Sequence, residues 1–358
     1  MAGPNTITAH ETREDGPPAD FPSRSQSSKL RWAVKHPPSD PQVSFAGKTI
    51  LITGANTGLG FEAAVKYAAH GAERLILAVR STAKGEDAKA RIVQHTGYNS
   101  ASITILTVDL TSFESVQAFA TALFKSTDKL DIALLNAGLG NQAYEKSPMG
   151  WEMALQVNVL STSLMAVLIL PLLRATAAAR WTSTHLTFVN SNGHDLAKRE
   201  WLGESGSLLK ASNEEKNWVS ERSYSLVKLM GMATMQALAG ITAAPTGQGG
   251  ASPPVIVNAV CPGLCKTDLG RNFSFGARIA GLAFFAVFAR TAEQGSRSLV
   301  SATALGPESH GRLWHHDVLY PIGEMAQDKE LMRKTWEEIW AVISEGRPEL
   351  AKTLNEGA

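Results

Sequence analysis

The sequence predicts a doubly wound α/β fold, a single domain built on a parallel sheet with helices on both faces. Three observations carry this. Short apolar runs alternate with helix-spaced stretches from residue 46 onward. Runs such as Leu75–Val79 and Ile132–Leu135 are apolar on both faces, as in a parallel sheet covered from each side. The first run ends in a glycine turn, Gly54-x-x-x-Gly58-x-Gly60, after which Phe61, Ala63, Ala64, Val65 and Ala68 follow at roughly helical spacing.

In chain order, residues 1–45 hold Pro, Ser, Asp and Arg with few large apolar groups, and read as a loosely attached tail. Its acidic Glu11, Glu14, Asp15 and Asp20 argue against a transit peptide. The body, 46–358, opens with a strand over 48–53 and a helix over 59–70. The alternation continues through 74–79 (strand), 82–95 (helix), 102–108 (strand), 112–126 (helix), 131–135 (strand) and 148–179 (helix). It closes with strands at 184–190, 255–260 and 312–319 and helices at 222–243 and 292–304. Farther on, Leu331, Met332, Trp336, Ile339, Trp340 and Ile343 recur at helical spacing within 325–345. That face is suited to packing on the body, on a second copy of the chain, or over a pocket. No 20–50-residue repeat and no linker divides the body.

Bulk properties narrow the partners. A net charge of +1 gives no electrostatic reason to expect nucleic acid, which leaves a small molecule. The only two cysteines, Cys261 and Cys265, are too few and too close for a disulfide framework or a four-ligand zinc site. No metal is expected, and free thiols fit a reducing, cytoplasmic setting. The N-terminus lacks an apolar core behind basic residues, so no secretory signal is expected. Apolar runs at Leu164–Leu173 and Ile279–Ala289 fall short of the roughly 20 residues of a spanning helix.

In such a sheet ligands sit at the carboxyl ends of the strands. The glycines at 54, 58 and 60, with Asn56, Thr57 and Leu59 between them, let a phosphate approach the free N–H groups of a helix start. Arg80 follows the second strand, where an NAD-binding protein more often has an acid for the ribose 2′-OH. An arginine there suits a 2′-phosphate, or is a solvated surface residue. Asp109 ends the third strand and could accept from an adenine amino group, cap the next helix, or serve a turn. Asn136-Ala137-Gly138 ends the fourth, its small residues suited to a flat cofactor or to an ordinary turn. Tyr224 and Lys228 lie four residues apart on one helix face, where an ammonium favours the ionised phenol.

Taken together, these residues resemble the short-chain dehydrogenase/reductase family over about 46–320. The match runs through Thr53-Gly54-Ala-Asn-Thr-Gly58-Leu-Gly60, Asp109, Asn136-Ala-Gly138, Asn158, Ser191, Tyr224-x-x-x-Lys228, Pro262-Gly263 and Thr267. The resemblance implies a Rossmann-type fold that binds NADP(H), with Tyr224 as general acid or base and Ser191 bonded to the carbonyl oxygen. Lys228 would hold the nicotinamide ribose and depress the tyrosine pKa, and Asn158 would anchor a proton-relay water. Pro262, Gly263 and Thr267 would cover the nicotinamide end.

Departures from the family's simplest members point toward the substrate. Thr57 stands where some NADP-dependent relatives carry a basic residue, so the phosphate preference rests chiefly on Arg80. Ser191 and Tyr224 are separated by an insertion, 192–222, that contains Trp201 and Trp218. His194 within it is suited to touching substrate or to a structural role. A segment over 268–290, dense in Phe from 273 to 288, falls where the family places a substrate lid. An apolar lid fits a lipophilic small molecule, although core packing, an oligomer contact or shallow membrane contact would use the same side chains.

The insertion, Ala78-Val-Arg80 and Asn190-Ser-Asn-Gly-His194 look most like the retinol-dehydrogenase-like branch or fungal reductases that tailor natural products. The activity implied is carbonyl–alcohol interconversion, in secondary metabolism or on a retinoid, lipid or steroid alcohol. A sugar-nucleotide epimerase is disfavoured, because its turn runs Gly-x-x-Gly-x-x-Gly. A non-catalytic NADP-binding regulator on the same fold is the alternative of another class.

Overall fold

A computed structural model of the chain describes residues 21, 26–243, 252–266 and 287–355. Its centre is one eight-stranded sheet: β1 (Thr49–Thr53), β2 (Arg74–Val79), β3 (Ile103–Thr107), β4 (Ile132–Leu135), β5 (Thr184–Val189), β6 (Val255–Val260), β7 (Leu313–His315) and β8 (Val318–Tyr320). The strand order is β3-β2-β1-β4-β5-β6-β7-β8. All pairings are parallel except β7–β8. The chain reverses its winding between β1 and β4, and a doubly wound sheet opens its ligand crevice at that point.

Every residue of β1 and β6 is buried, and alternate side chains feed two cores. Ile50, Ile52, Leu75 and Leu77 face the helices Gly58–Ala69, Thr82–Thr96 and Ala292–Ala302. Leu51, Ile76 and Ala133 face the helices Phe113–Ser126, Met153–Arg180 and Ser220–Ile241. Local chemistry sets several ends. Ser81 and Ser112 cap their helices by accepting from Lys84 N and Ser115 N, and Gly97 stops its helix at φ 68°. Thr291 and Gln294 form a reciprocal capping box.

The structure departs from the sequence reading in five places. The stretch 312–319 is a hairpin, since His316 and Asp317 both take positive φ (54° and 57°) and turn β7 back on β8. The C-terminal helix is broken at Asp328, which caps Lys329–Ser344 after a short turn of helix at Glu324–Gln327. The insertion carries a helix of its own, Leu208–Asn213, anchored by the buried Leu208.

The helix expected over 148–179 is Met153–Arg180, with a π turn at Gln156–Ser161. By length and composition this helix could cross a bilayer, beyond what its longest apolar run implied. It is 78% buried over its most apolar window, as a core helix is. Finally, residues 26–45 are not a loose tail: Gln26–Lys35 is helical, and Ser39 N donates to Asp317 Oδ2 at 2.8 Å. Thr267 and the lid positions 268–286 lie outside the described residues.

Candidate active site

The glycine turn sits at the carboxyl end of β1, where it was expected. Gly54 (φ 67°) and Gly58 (φ 57°) take left-handed backbone. A Cβ on Gly60 would lie 2.5 Å from both Gly54 O and Asn136 Nδ2, so only glycine fits there. Thr57 precedes the helix Gly58–Ala69 without a side-chain cap bond, which leaves the first-turn N–H groups for an anion. Asn136 locks the turn to β4: its Nδ2 donates to Thr53 O at 2.8 Å, while Asn136 N and Ala137 N both donate to Thr53 Oγ1. These features fit a dinucleotide pyrophosphate.

Around the turn, Arg80 is exposed just past β2. Asp109 Oδ1 accepts from Thr111 N and Thr111 Oγ1 at 2.9 and 2.8 Å, which is the turn role, and Ser112 takes the cap role instead. Asn158 lies in the π turn and spans to the loop after β4. Its Nδ2 donates to Leu139 O at 2.8 Å and its Oδ1 accepts from Leu139 N at 2.9 Å. Gly138 lies against it, a Cβ there falling 3.1 Å from Asn158 Oδ1.

Ser191, at the end of β5, and Tyr224, on the helix Ser220–Ile241, come together although they stand 33 positions apart in the chain. Gly193, which the sequence reading passed over, joins them. Its N–H donates to Ser191 Oγ at 3.0 Å, and a Cβ on it would lie 2.9 Å from Tyr224 Cε1. Burial pushes the Tyr224 phenol up to about 12, against the opposing bond from Ser191. Burial likewise draws Lys228 down to about 8. Lys228 Nζ donates to Val189 O at 3.2 Å and stands 5.8 Å from the Tyr224 ring centroid. Burial thus raises the phenol where the resemblance implies a lowered value, and the opposing contribution comes from Ser191 rather than from Lys228.

The strand-end residues found in sequence order thus lie along the carboxyl edge of one sheet. Comparison with known proteins identifies the arrangement. A family model described as short chain dehydrogenase matches residues 48–184. A short-chain dehydrogenase/reductase of Aspergillus flavipes, ffsI, is 44% identical over 340 residues, covering 94% of this chain and 98% of that protein. The chain belongs to the short-chain dehydrogenase/reductase family. A second family member, phmF of Phaeosphaeria nodorum, is 39% identical over 93% of this chain and 97% of its own length.

Solved structures extend the likeness in fold. Pseudomonas aeruginosa RhlG in an NADP active-site complex has a TM-score of 0.57 at 22% identity, covering 79% of this chain and 98% of that one. Gluconobacter frateurii L-sorbose reductase with NADPH and L-sorbose has a TM-score of 0.56 at 19% identity, with the same coverages. As a short-chain dehydrogenase/reductase, the chain is a nicotinamide-dependent oxidoreductase acting on CH–OH and C=O groups.

The loop after β6 and the insertion lie next to these strand-end residues. Pro262 and Gly263 follow β6 directly, Gly263 at φ 76°. Both cysteines are free and buried beside this loop. A Cβ on Gly295 would strike Cys265 Sγ and Leu59 Cδ2 at 2.4 and 2.7 Å, so the loop runs back to the glycine turn. His194 is buried, its Nδ1 bonded to Ser191 O at 2.7 Å and its Nε2 2.8 Å from Asp195 Oδ1. Burial opposes its charge, but Asp195 and the Ser191 carbonyl outweigh burial and raise its pKa. Sequence alone gave no sign of Gly193 or of this imidazole's partners, because both depend on contacts made only after folding.

Proposed function

We propose that this enzyme is an NADP(H)-dependent reductase of a lipophilic ketone or aldehyde, with Ser191, Tyr224, Lys228 and Asn158 as its catalytic residues. The observation that carries the reading is the Ser191–Gly193–Tyr224 cluster at the end of β5, on the same edge of the sheet as the uncapped glycine turn. The first-turn N–H groups of Gly58, Leu59 and Gly60, with Asn56 and Thr57 beside them, hold the pyrophosphate. Arg80, exposed beside them, meets a 2′-phosphate with its fork of donors. Asp109 and Asn136-Ala137-Gly138 border the adenosine and ribose, and Pro262 and Gly263 cover the nicotinamide end.

When bound, the cofactor supplies the hydride. Tyr224 and Ser191 both direct hydroxyls at the substrate oxygen and stabilise the charge that develops on it. With its pKa held high, Tyr224 keeps its proton at neutral pH, which suits donation to that oxygen during reduction. Lys228 lies one helical turn away to hold ribose hydroxyls and pass a proton onward, and Asn158 shapes the neighbouring loop.

Beside the site the insertion carries a groove of about 360 Å³, where Leu196, Trp201 and Val219 offer an apolar wall and Lys198, Glu221 and Arg222 a charged one. Leu196 and Val219 are half exposed there, and Val219 stands five positions ahead of Tyr224 on the chain. The fungal relatives are consistent with a secondary metabolite as the substrate. Incubating the purified protein with NADPH or NADH and a metabolite extract tests all three parts. One reduced product should form with NADPH and vanish with Tyr224→Phe, which still binds NADPH; product from the phenylalanine variant at the normal rate refutes the assignment.

A further inference from the structure

Arg290 is almost fully buried, with 2% of its surface exposed, and no carboxylate forms an ion pair with it among the described residues. A guanidinium in that position is costly unless each donor is met. Here Nε donates to Ala33 O at 2.8 Å and Nη2 to His36 O at 2.9 Å, both at the carboxyl end of the helix Gln26–Lys35. That end of a helix favours a cation. Nη2 also lies 3.1 Å from His316 Nδ1 in the β7–β8 turn, and Nη1 reaches Pro262 O at 3.4 Å.

Gly263 makes room for this arrangement, since a Cβ on it would fall 3.2 Å from Arg290 Nη1. The backbone of Arg290 is fixed as well. Its N donates to Leu264 O and its carbonyl accepts from Lys266 N, each at 2.8 Å. One residue therefore binds the loop after β6 from below while its side chain grips the N-terminal helix. The helix is held independently: Trp32 stacks on His36 at 4.5 Å and meets His316 edge-on, and Arg297 Nη1 donates to Pro38 O.

We propose that Arg290 is a positioning residue that uses the N-terminal helix to fix the Pro262–Gly263 loop for the nicotinamide half of the cofactor. The segment ahead of β1 is thereby a working part of the cofactor site. This rests on the reading above that Pro262 and Gly263 cover the nicotinamide end.

The test measures dissociation constants of two probes on the full chain: NADPH, by its fluorescence, and 2′-phospho-ADP-ribose, which lacks only the nicotinamide. Arg290→Met should weaken NADPH by about tenfold, as expected when bonds to a charged group are lost, and leave 2′-phospho-ADP-ribose within about twofold. Ala33→Pro, which keeps the arginine but breaks its helix, should do the same. Equal losses for both probes, or none, overturn the proposal, as does an Ala33→Pro protein that binds NADPH normally. If Arg290→Met fails to fold, Ala33→Pro decides alone by the same criteria. A wild-type chain that binds neither probe instead refutes the cofactor reading itself.

Discussion

At the residue scale the catalytic geometry rests on a position with no side chain. A methyl on Gly193 would intrude on both Tyr224 Cε1 and Ser191 Oγ, at 2.9 and 3.2 Å. Gly193→Ala should therefore lower kcat by roughly tenfold to a hundredfold, the scale of a small misplacement of reacting groups. NADPH affinity, measured by fluorescence titration, should not move. Lys228 yields a pH prediction. Its charged form dominates below about 8 and is lost above it, while Tyr224 keeps its proton until about 12. The rate of NADPH-dependent reduction should be level below pH 8 and fall as pH rises through it. A rate that climbs over pH 8–10 would contradict the roles given to both groups. Tyr224, Lys228 and the glycines were legible in sequence because their spacing is local and their chemistry distinctive. Gly193 was not, because its importance comes from a ring 31 positions away, and Arg290 looked like any surface arginine until its carbonyl acceptors were in place.

At the scale of elements, the periodicity of apolar residues placed nearly every strand and helix, since each is buried on the face its pattern marks. What it could not choose was the packing partner. The amphipathic stretch after 325 was open to the body, a second copy or the pocket. The structure lays the helix Lys329–Ser344 on Ser220–Ile241, the helix that carries Tyr224 and Lys228, with Ile339 and Ile343 fully buried. Arg174 reaches past it to the last helix, donating to Thr353 O at 2.9 Å. Ile339→Ala should destabilise the protein by about 2–5 kcal/mol through lost burial and the cavity left behind. Urea denaturation would read this as a lower midpoint with an unchanged slope. The folded variant should retain its NADPH affinity, because the substitution lies on the outer side of that helix. The N-terminal helix escaped the sequence reading for a different reason: it holds few large apolar residues, and it docks through contacts with Arg290, His316 and Arg297 that only the fold brings together.

For the whole molecule, the continuity of the sheet matters most. β1 pairs with β2 on one side and β4 on the other, so the crevice at the reversal draws on both halves, while Asp131 ties the strand starts on the opposite edge. The Asp131 carboxylate accepts from Thr49 N at 2.9 Å and meets Lys48 and Arg180 at 3.3 and 3.0 Å. A sheet joined in this way should unfold as one cooperative unit, and a cofactor bound across its switch point should stabilise all of it together. A ligand at a hundredfold excess over its dissociation constant, bound only by the folded state, adds about 2.7 kcal/mol. For a chain of this size that corresponds to a rise in Tm of roughly 3–5 °C. Calorimetry should show a single transition that NADPH moves upward and NADH, at equal concentration, moves less. Arg80→Ala should bring the two shifts together, because the exposed guanidinium past β2 is the group on this chain suited to the 2′-phosphate. Two separated transitions, only one of them moved by NADPH, would place a domain boundary within 46–358 that neither the alternation in sequence nor the strand order contains.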